Sequence, residues 1–170
     1  MGNRQGIFSA WAQRKRIEWF LPRLATDAHI LEVGCADGWF GRAAADRGYQ
    51  DITGLDLEPP ADIVGDVLEW RDLGLSAHSF DAIVAFEVVE HGDFSDALHD
   101  LLKPGGWLMA TTPVPRMDGL GRLLEGVGLI QRRSSPHSHL VDLRQFPRFR
   151  VVDRKVMSGI SQWGILEPVY

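Results

Sequence analysis

Apolar and polar positions along the chain follow two different periods. Across residues 8–21, Phe8, Trp11, Ala12, Trp19 and Phe20 recur at helical spacing with Arg14, Lys15 and Arg16 between them, which predicts an amphipathic helix at the start. From residue 29 onward the pattern changes to short apolar runs, each ended by an acid or a turn residue. Residues 29–33 predict a first strand and residues 51–56 a second, closed by Glu58-Pro59-Pro60. Residues 62–64 predict a short third strand, and Phe80-Asp81-Ala82-Ile83-Val84-Ala85 a buried fourth. Between the first two, residues 39–46 with Phe40 and Ala43-Ala44-Ala45 predict a helix that stops at Gly48. Asp93 is expected to cap a further helix carrying Phe94, Ala97, Leu98, Leu101 and Leu102 on one side. Lys103-Pro104-Gly105-Gly106 predicts a turn, and residues 107–112 a fifth strand halted by Pro113 and Pro115.

Strands alternating with helices predict an α/β fold, a three-layer sandwich whose mostly parallel sheet carries helices on both faces. Beyond Pro115 the pattern weakens. Residues 120–127 read as a short helix crowded by Gly119, Gly121, Gly126 and Gly128, and residues 131–139 as an exposed polar loop around Pro136. Residues 149–157 and 164–169 predict a terminal antiparallel pair. The sheet expected is therefore seven-stranded, with its last strand antiparallel.

A chain of 170 residues that is 45% apolar is the size of one core. One domain is expected, divided into an N-terminal helix (residues 1–27), a binding core (28–113) and an acceptor-side and terminal-strand region (114–170). No apolar run approaches the roughly 18 residues of a membrane span, and residues 1–30 hold no apolar signal stretch. A single cysteine, Cys35, excludes an internal disulfide, so a reducing cytoplasm is the expected location. The net charge of −5 is unevenly spread. Residues 1–113 hold nine Lys/Arg against eighteen Asp/Glu, a net −9, and residues 114–170 hold nine against five, a net +4. An acidic chain without interleaved aromatic and basic residues argues against general nucleic-acid binding.

The densest chemistry lies in Leu31-Glu32-Val33-Gly34-Cys35-Ala36-Asp37-Gly38, a strand that ends near an acid, turns on two glycines and opens into a helix. Glycines let backbone N–H groups approach a ligand closely. The Glu32 carboxylate would repel a pyrophosphate and suit a ligand bearing an ammonium group and a cationic sulfur. The dinucleotide pattern G-x-G-x-x-G is absent, as is a Walker loop.

Together with Gly54-Leu55-Asp56-Leu57, Phe80-Asp81-Ala82-Ile83-Val84 running to Glu87-Val88-Val89-Glu90-His91, and Leu101-Leu102-Lys103-Pro104-Gly105-Gly106-Trp107-Leu108-Met109, this segment resembles the class I, Rossmann-like S-adenosylmethionine-dependent methyltransferases. The resemblance covers about residues 28–113. It implies that Glu32, Gly34, Cys35 and Gly38 surround the methionine part of the cofactor, and that Asp56, with Leu57 after it, accepts the ribose hydroxyls. By the same resemblance Asp66 and Val67, after Gly65, meet the adenine, and Phe86 and Glu87 line the methionine and methyl region. One departure is Ala36, where the family commonly has Gly; Ala is cheap there only if its φ is negative.

The resemblance implies methyl transfer from S-adenosyl-L-methionine, leaving S-adenosyl-L-homocysteine, to an oxygen or nitrogen of a small-molecule acceptor. The competing reading is a non-catalytic subunit that keeps the fold as a binding scaffold, suggested by how little of residues 114–148 reads as a lid. His91, His137 and His139 are the candidate bases, since imidazole titrates near neutrality. His137-Ser138-His139 has no further ligand cluster beside it, so no metal is expected. Arg132, Arg133, Arg144, Arg148 and Arg150 could clamp an anionic acceptor or could equally be surface arginines. Nothing in the pattern speaks to the oligomeric state.

Overall fold

A computed structural model describes residues 7–115 and 141–170. The chain enters through helix α1 (Ile7–Phe20) and a single 3-10 turn, Leu21–Arg23, before strand β1 (Ile30–Val33). Helix α2 (Trp39–Ala45), β2 (Ile52–Asp56), β3 (Ile63–Val64) and β4 (Phe80–Phe86) follow. Next come α3 (Ser95–Leu101), β5 (Leu102–Pro113), β6 (Phe149–Met157) and β7 (Ser161–Pro168). The seven strands form one sheet in the order β3-β2-β1-β4-β5-β7-β6. β1 to β5 pair in parallel, whereas β7 runs antiparallel to both β5 and β6. This is the sheet the sequence predicts, with β7 inserted between β5 and β6.

Strand alternation explains why the sheet needs cover on two sides. Ile83 and Ala85 of β4 join Leu31, Val33, Leu55 and Leu108 on one face, under Ala97, Leu98 and Leu101 of α3. Ala82 and Val84 join Ile30, Met109, Trp163 and Ile165 on the other, under Ile17 and Phe20 of α1 and Phe40 and Ala44 of α2. Trp11, expected on the buried stripe of α1, is exposed; the stripe that packs is Ile17 and Phe20. The Tyr49 hydroxyl donates to the carbonyls of Leu21 (2.6 Å) and Leu24 (3.1 Å), fixing the exit of α2 to the turn after α1.

Two predicted boundaries move for identifiable reasons. Leu102 opens β5 instead of closing α3, and Asp93 sits one residue before the N-cap Phe94, where its Oδ1 accepts from the Ser95 amide (3.3 Å) and hydroxyl (2.7 Å). Lys103-Pro104-Gly105-Gly106 is a bulge within β5 rather than a free turn. Phe80 pairs with Leu102 but Ala82 pairs with Trp107, and Gly105 takes φ +80° in between. The Lys103 ammonium, 2.8 Å from Asp81, ties the bulge to β4. The predicted helix over 120–127 and loop over 131–139 lie outside the described residues.

β2 and β3 are joined by residues 57–62 alone, although they pair in parallel as Leu55↔Ile63 and Asp56↔Val64. Parallel neighbours ordinarily need a crossover of about a dozen residues or more, most often a helix. This crossover has none. No helix among the described residues is long and apolar enough to cross a membrane.

Candidate functional site

The turn after β1 is shaped by two glycines and by β2. Gly34 has φ +72°, and its N–H donates to the Leu55 carbonyl at 2.8 Å. A Cβ on Gly34 would lie 2.5 Å from Cγ2 of Val88, so the chain passes beneath the segment that follows β4 only because no side chain is there. Gly38, at φ +71°, is the N-cap of α2 and closes the turn by donating to the Cys35 carbonyl at 2.8 Å. Between them Ala36 adopts φ +49°, so the cheap negative-φ case does not hold: an L residue occupies a left-handed position here. Its N–H is held by Oδ2 of Asp56 at 2.7 Å.

At the C-terminal ends of β1, β2 and β4 this turn borders a cavity of about 450 Å³. Gly34, Asp56, Leu57, Asp66, Val67, Phe86, Glu87 and His91 line it, drawn from four separate parts of the sequence. Asp56 lines the cavity, and its Oδ1 accepts from the Glu58 amide at 3.3 Å. Leu57 is 68% exposed at the cavity wall. Oδ1 of Asp66 accepts from the Leu68 amide at 2.9 Å, which caps the short turn Val67–Glu69. The Phe86 ring packs among Trp39, Phe40 and Phe20, holding the end of β4 in place.

Glu87 is the most constrained side chain of the site. Its backbone is left-handed at φ +58°, and its amide donates to the Thr111 carbonyl at 2.8 Å. Its Oε1 receives Arg16 of α1 (2.7 Å), the Thr111 hydroxyl of β5 (2.7 Å) and, at 3.5 Å, the Ser161 hydroxyl of β7. The Arg16 guanidinium also lies over the Phe86 ring, 5.5 Å from its centroid. Sequence reading missed Arg16, Thr111 and Ser161. Arg16 and Glu87 are 71 residues apart, and no local pattern couples them.

Glu32, Cys35 and Gly38 do not line this cavity. They border a second one, of about 430 Å³, between α2 and the residues joining β2 to β3. Glu32 shares the α2-facing side of β1 with Ile30, is 3% exposed and lies next to Gly41 in the first turn of α2. Burial pushes its carboxyl up to about 8; Asp37 and Asp56 push the same way, against the Gly41 N–H and Arg42. The buried Cys35 thiol is pushed up to about 11, by burial first and then by the charges of Glu32, Asp56 and Asp62. That makes it an unreactive thiol at neutral pH. His137, His139, Arg132 and Arg133 lie outside the described residues. Of the remaining arginines, Arg144 pairs with Asp142, Arg148 with Asp96, and Arg150 with Glu167. Among the described residues no group of three or more His, Cys, Asp or Glu is placed to hold a metal ion.

Residues 5–148 match the family described as "Methyltransferase domain". Among curated proteins, a ubiquinone biosynthesis O-methyltransferase of Xanthomonas axonopodis pv. citri is 34% identical over 116 residues, covering 57% of this chain and 48% of that protein. One of the same name from Leptothrix cholodnii is 29% identical over 102 residues, covering 49% and 43%. The chain thus spans less than half the length of the curated relatives it matches. Among solved structures, a Pyrococcus horikoshii OT3 protein superposes with a TM-score of 0.69 at 16% identity, over 98% of this chain and 92% of that one. The magnesium protoporphyrin IX methyltransferase of Synechocystis PCC 6803, solved with bound SAH, gives 0.66 at 15% identity, over 98% and 90%. At those identities the likeness is one of fold.

Two outcomes are expected from this geometry. Ala36→Gly relieves the left-handed alanine and stabilises the protein by about 0.5–1 kcal/mol in urea unfolding; a loss of stability would mean the Ala36 methyl packs to advantage. Glu32, whose carboxyl is raised in the fold, holds its proton more tightly folded than unfolded. Its contribution is complete below the ordinary value of 4.5 and is lost as pH rises toward about 8, at about 1.4 kcal/mol per pH unit. Glu32→Gln removes that slope, so its stability relative to the parent rises between those pH values and then levels. Parallel curves in the two proteins would show that Glu32 ionises normally.

Proposed function

This chain belongs to the methyltransferase-domain family, and on that premise we propose that it transfers a methyl group from S-adenosyl-L-methionine to an oxygen or nitrogen of a small-molecule acceptor. The observation that carries the reading is the cavity at the C-terminal ends of β1, β2 and β4, where a bare glycine turn meets two strand-end acids. Its size suits a cofactor of this class, since ligand sites run from about 300 to 1,000 Å³. The surface fits chemically as well. Asp56 retains an oxygen for ribose hydroxyls, Leu57 offers an apolar face, and Asp66 and Val67 sit where a purine edge would be read.

Bound in this way, the cofactor supplies a methyl group on a cationic sulfur that is displaced in line by the acceptor. The protein then needs no nucleophile of its own. Its work is to hold two reactants at near-attack distance, which is worth up to about 7–11 kcal/mol. Gly34 allows the backbone to come close, and Phe86 and Glu87 form the wall on the β4 side. Glu87, fixed by Arg16 and Thr111, presents a carboxylate whose orientation is set before any ligand arrives. His91 lines the same cavity and is the histidine best placed to take a proton from a hydroxyl or ammonium acceptor. An oxygen acceptor is favoured by the names of the curated relatives, which are O-methyltransferases. The basic bias of residues 114–170 makes anionic acceptors the first to try.

S-adenosyl-L-homocysteine should bind in isothermal titration, and Asp56→Ala should weaken it at least tenfold, as expected for losing charge-assisted hydrogen bonds. Asp56→Asn, which keeps an acceptor for the Ala36 amide, separates loss of the ligand contact from loosening of the turn. Absence of any heat or thermal shift at millimolar ligand would reject the reading. Cofactor binding with no turnover across hydroxyl and amine acceptors would instead mark the chain as a binding subunit.

A further inference from the structure

Helix α1 precedes the whole binding core in sequence, yet its Arg16 reaches a residue in the wall of the cofactor cavity. The Arg16 side chain is 16% exposed and places Nη2 2.7 Å from Oε1 of Glu87. Its guanidinium lies 5.5 Å from the centroid of the Phe86 ring and 5.9 Å from that of Trp163. Its Nε is buried without a hydrogen-bond partner, and among the described residues Glu87 is the one carboxylate that answers its charge. The Thr111 hydroxyl donates to the same Oε1 at 2.7 Å. The Ser161 hydroxyl does so at 3.5 Å, while its oxygen takes the Trp163 indole N–H at 3.1 Å. Trp163 is in turn the cross-strand partner of Thr111. All three donors meet Oε1, and none of them meets Oε2.

The backbone of Glu87 says that this grip serves the side chain. At φ +58° a glycine would sit without cost, whereas an L residue is strained. Such strain persists where the surroundings over-determine the conformation, and here α1, β5 and β7 each supply a donor to one oxygen. The other two acids of the cavity are engaged differently. Asp56 takes the Ala36 and Glu58 amides and Asp66 the Leu68 amide, so both shape the turns next to them. Glu32 borders the other cavity. Glu87 is therefore the acid of this cavity whose carboxylate is fixed by side chains from distant elements.

We propose that Arg16 is a positioning residue of the cofactor site: by fixing Oε1 of Glu87 it sets the carboxylate that receives the α-ammonium of the cofactor's methionine part. The proposal rests on the methyl-transfer reading and adds α1 to the site. An ammonium is a compact donor of hydrogen bonds, and a carboxylate already held at one oxygen accepts from it with less side-chain freedom left to lose. Arg16 acts at Oε1 and does not itself touch the ligand. Thr111 and Ser161 hold the same oxygen from the sheet, so the grip combines one charge with two hydroxyls.

Isothermal titration of the whole chain at pH 7 with S-adenosyl-L-homocysteine, and with its analogue in which hydrogen replaces the amino group, isolates the ammonium contact. The parent should prefer the amine by about tenfold or more. Glu87→Gln should erase that preference while binding the analogue as the parent does. Arg16→Ala should cut the preference by about threefold or more, and Arg16→Lys should restore part of it. Adding Arg16→Ala to Glu87→Gln should change neither affinity. A preference untouched by Arg16→Ala, or equal weakening of both probes by it, would overturn the proposal. So would an Arg16→Ala effect that survives in the Glu87→Gln protein, which would put Arg16 on the ligand itself. Glu87→Gln, matched in shape, keeps the test decisive should Arg16→Ala lose its thermal transition. Equal binding of both probes by the parent would sink the proposal and leave the methyl-transfer reading standing, whereas binding of neither would reject both.

Discussion

Gly34 must run under Val88 with a left-handed backbone, and much of the architecture follows from that one approach. A side chain at Gly34 would stand 2.5 Å from the Val88 methyl. Moving either segment away would separate the end of β1 from the end of β4, which are hydrogen-bonded neighbours up to Val33 and Ala85. Because the turn stays low, its amides reach β2: Gly34 and Cys35 both donate to the Leu55 carbonyl, and Ala36 to the Asp56 carboxylate. The three strand ends are thereby held as one rim, and the cavity is the space above it. Asp56 serves the rim twice, with one oxygen on the Ala36 amide of the turn and the other on the Glu58 amide.

Electrostatics divides the acids of this region by their surroundings. Asp56 sits at a half-exposed strand end with backbone donors, whereas Glu32, only one strand away, is sealed beneath α2 and pushed to about 8. α2 begins at Gly38 without a side-chain cap, and the carboxyl beside its Gly41 N–H takes over part of that duty from below. Two acids on neighbouring strands thus meet different surroundings: Asp56 at the edge of an open cavity, Glu32 beneath a helix.

Most of the fold could be read from the chain because parallel strands buried on both faces leave unbroken apolar runs, as in Ala82-Ile83-Val84-Ala85. That Asp56, Asp66, Phe86, Glu87 and His91 border one cavity was likewise legible, since each ends a strand or lies within a few residues of a strand end, and strand ends converge. Glu32 lies apart from that cavity, and a signal for its side of the sheet was present. Alternation along Ile30-Leu31-Glu32-Val33 puts it with Ile30 on the helix side and not with the rim. The bulge at Gly105 was mistaken for a turn because proline and glycine mark both, and only the Phe80–Leu102 pairing distinguishes them. The Arg16–Glu87 contact had no signal at all, being a product of how α1 packs over Phe86 and Trp163. His137 and His139 fall outside the described residues.

The three donors that fix Glu87 come from distant parts of the chain: Arg16 near its beginning, Thr111 in β5, and Ser161 near its end in a strand wedged between two others. As the polypeptide leaves the ribosome, β1 to β5 can assemble while the closing hairpin is still inside the tunnel. The wall carrying Glu87 is finished only when that hairpin slots in beside β5. The residues that line the cavity, Val33 to Phe94, thus leave the ribosome ahead of the strand that supplies the longest of the three contacts to Glu87.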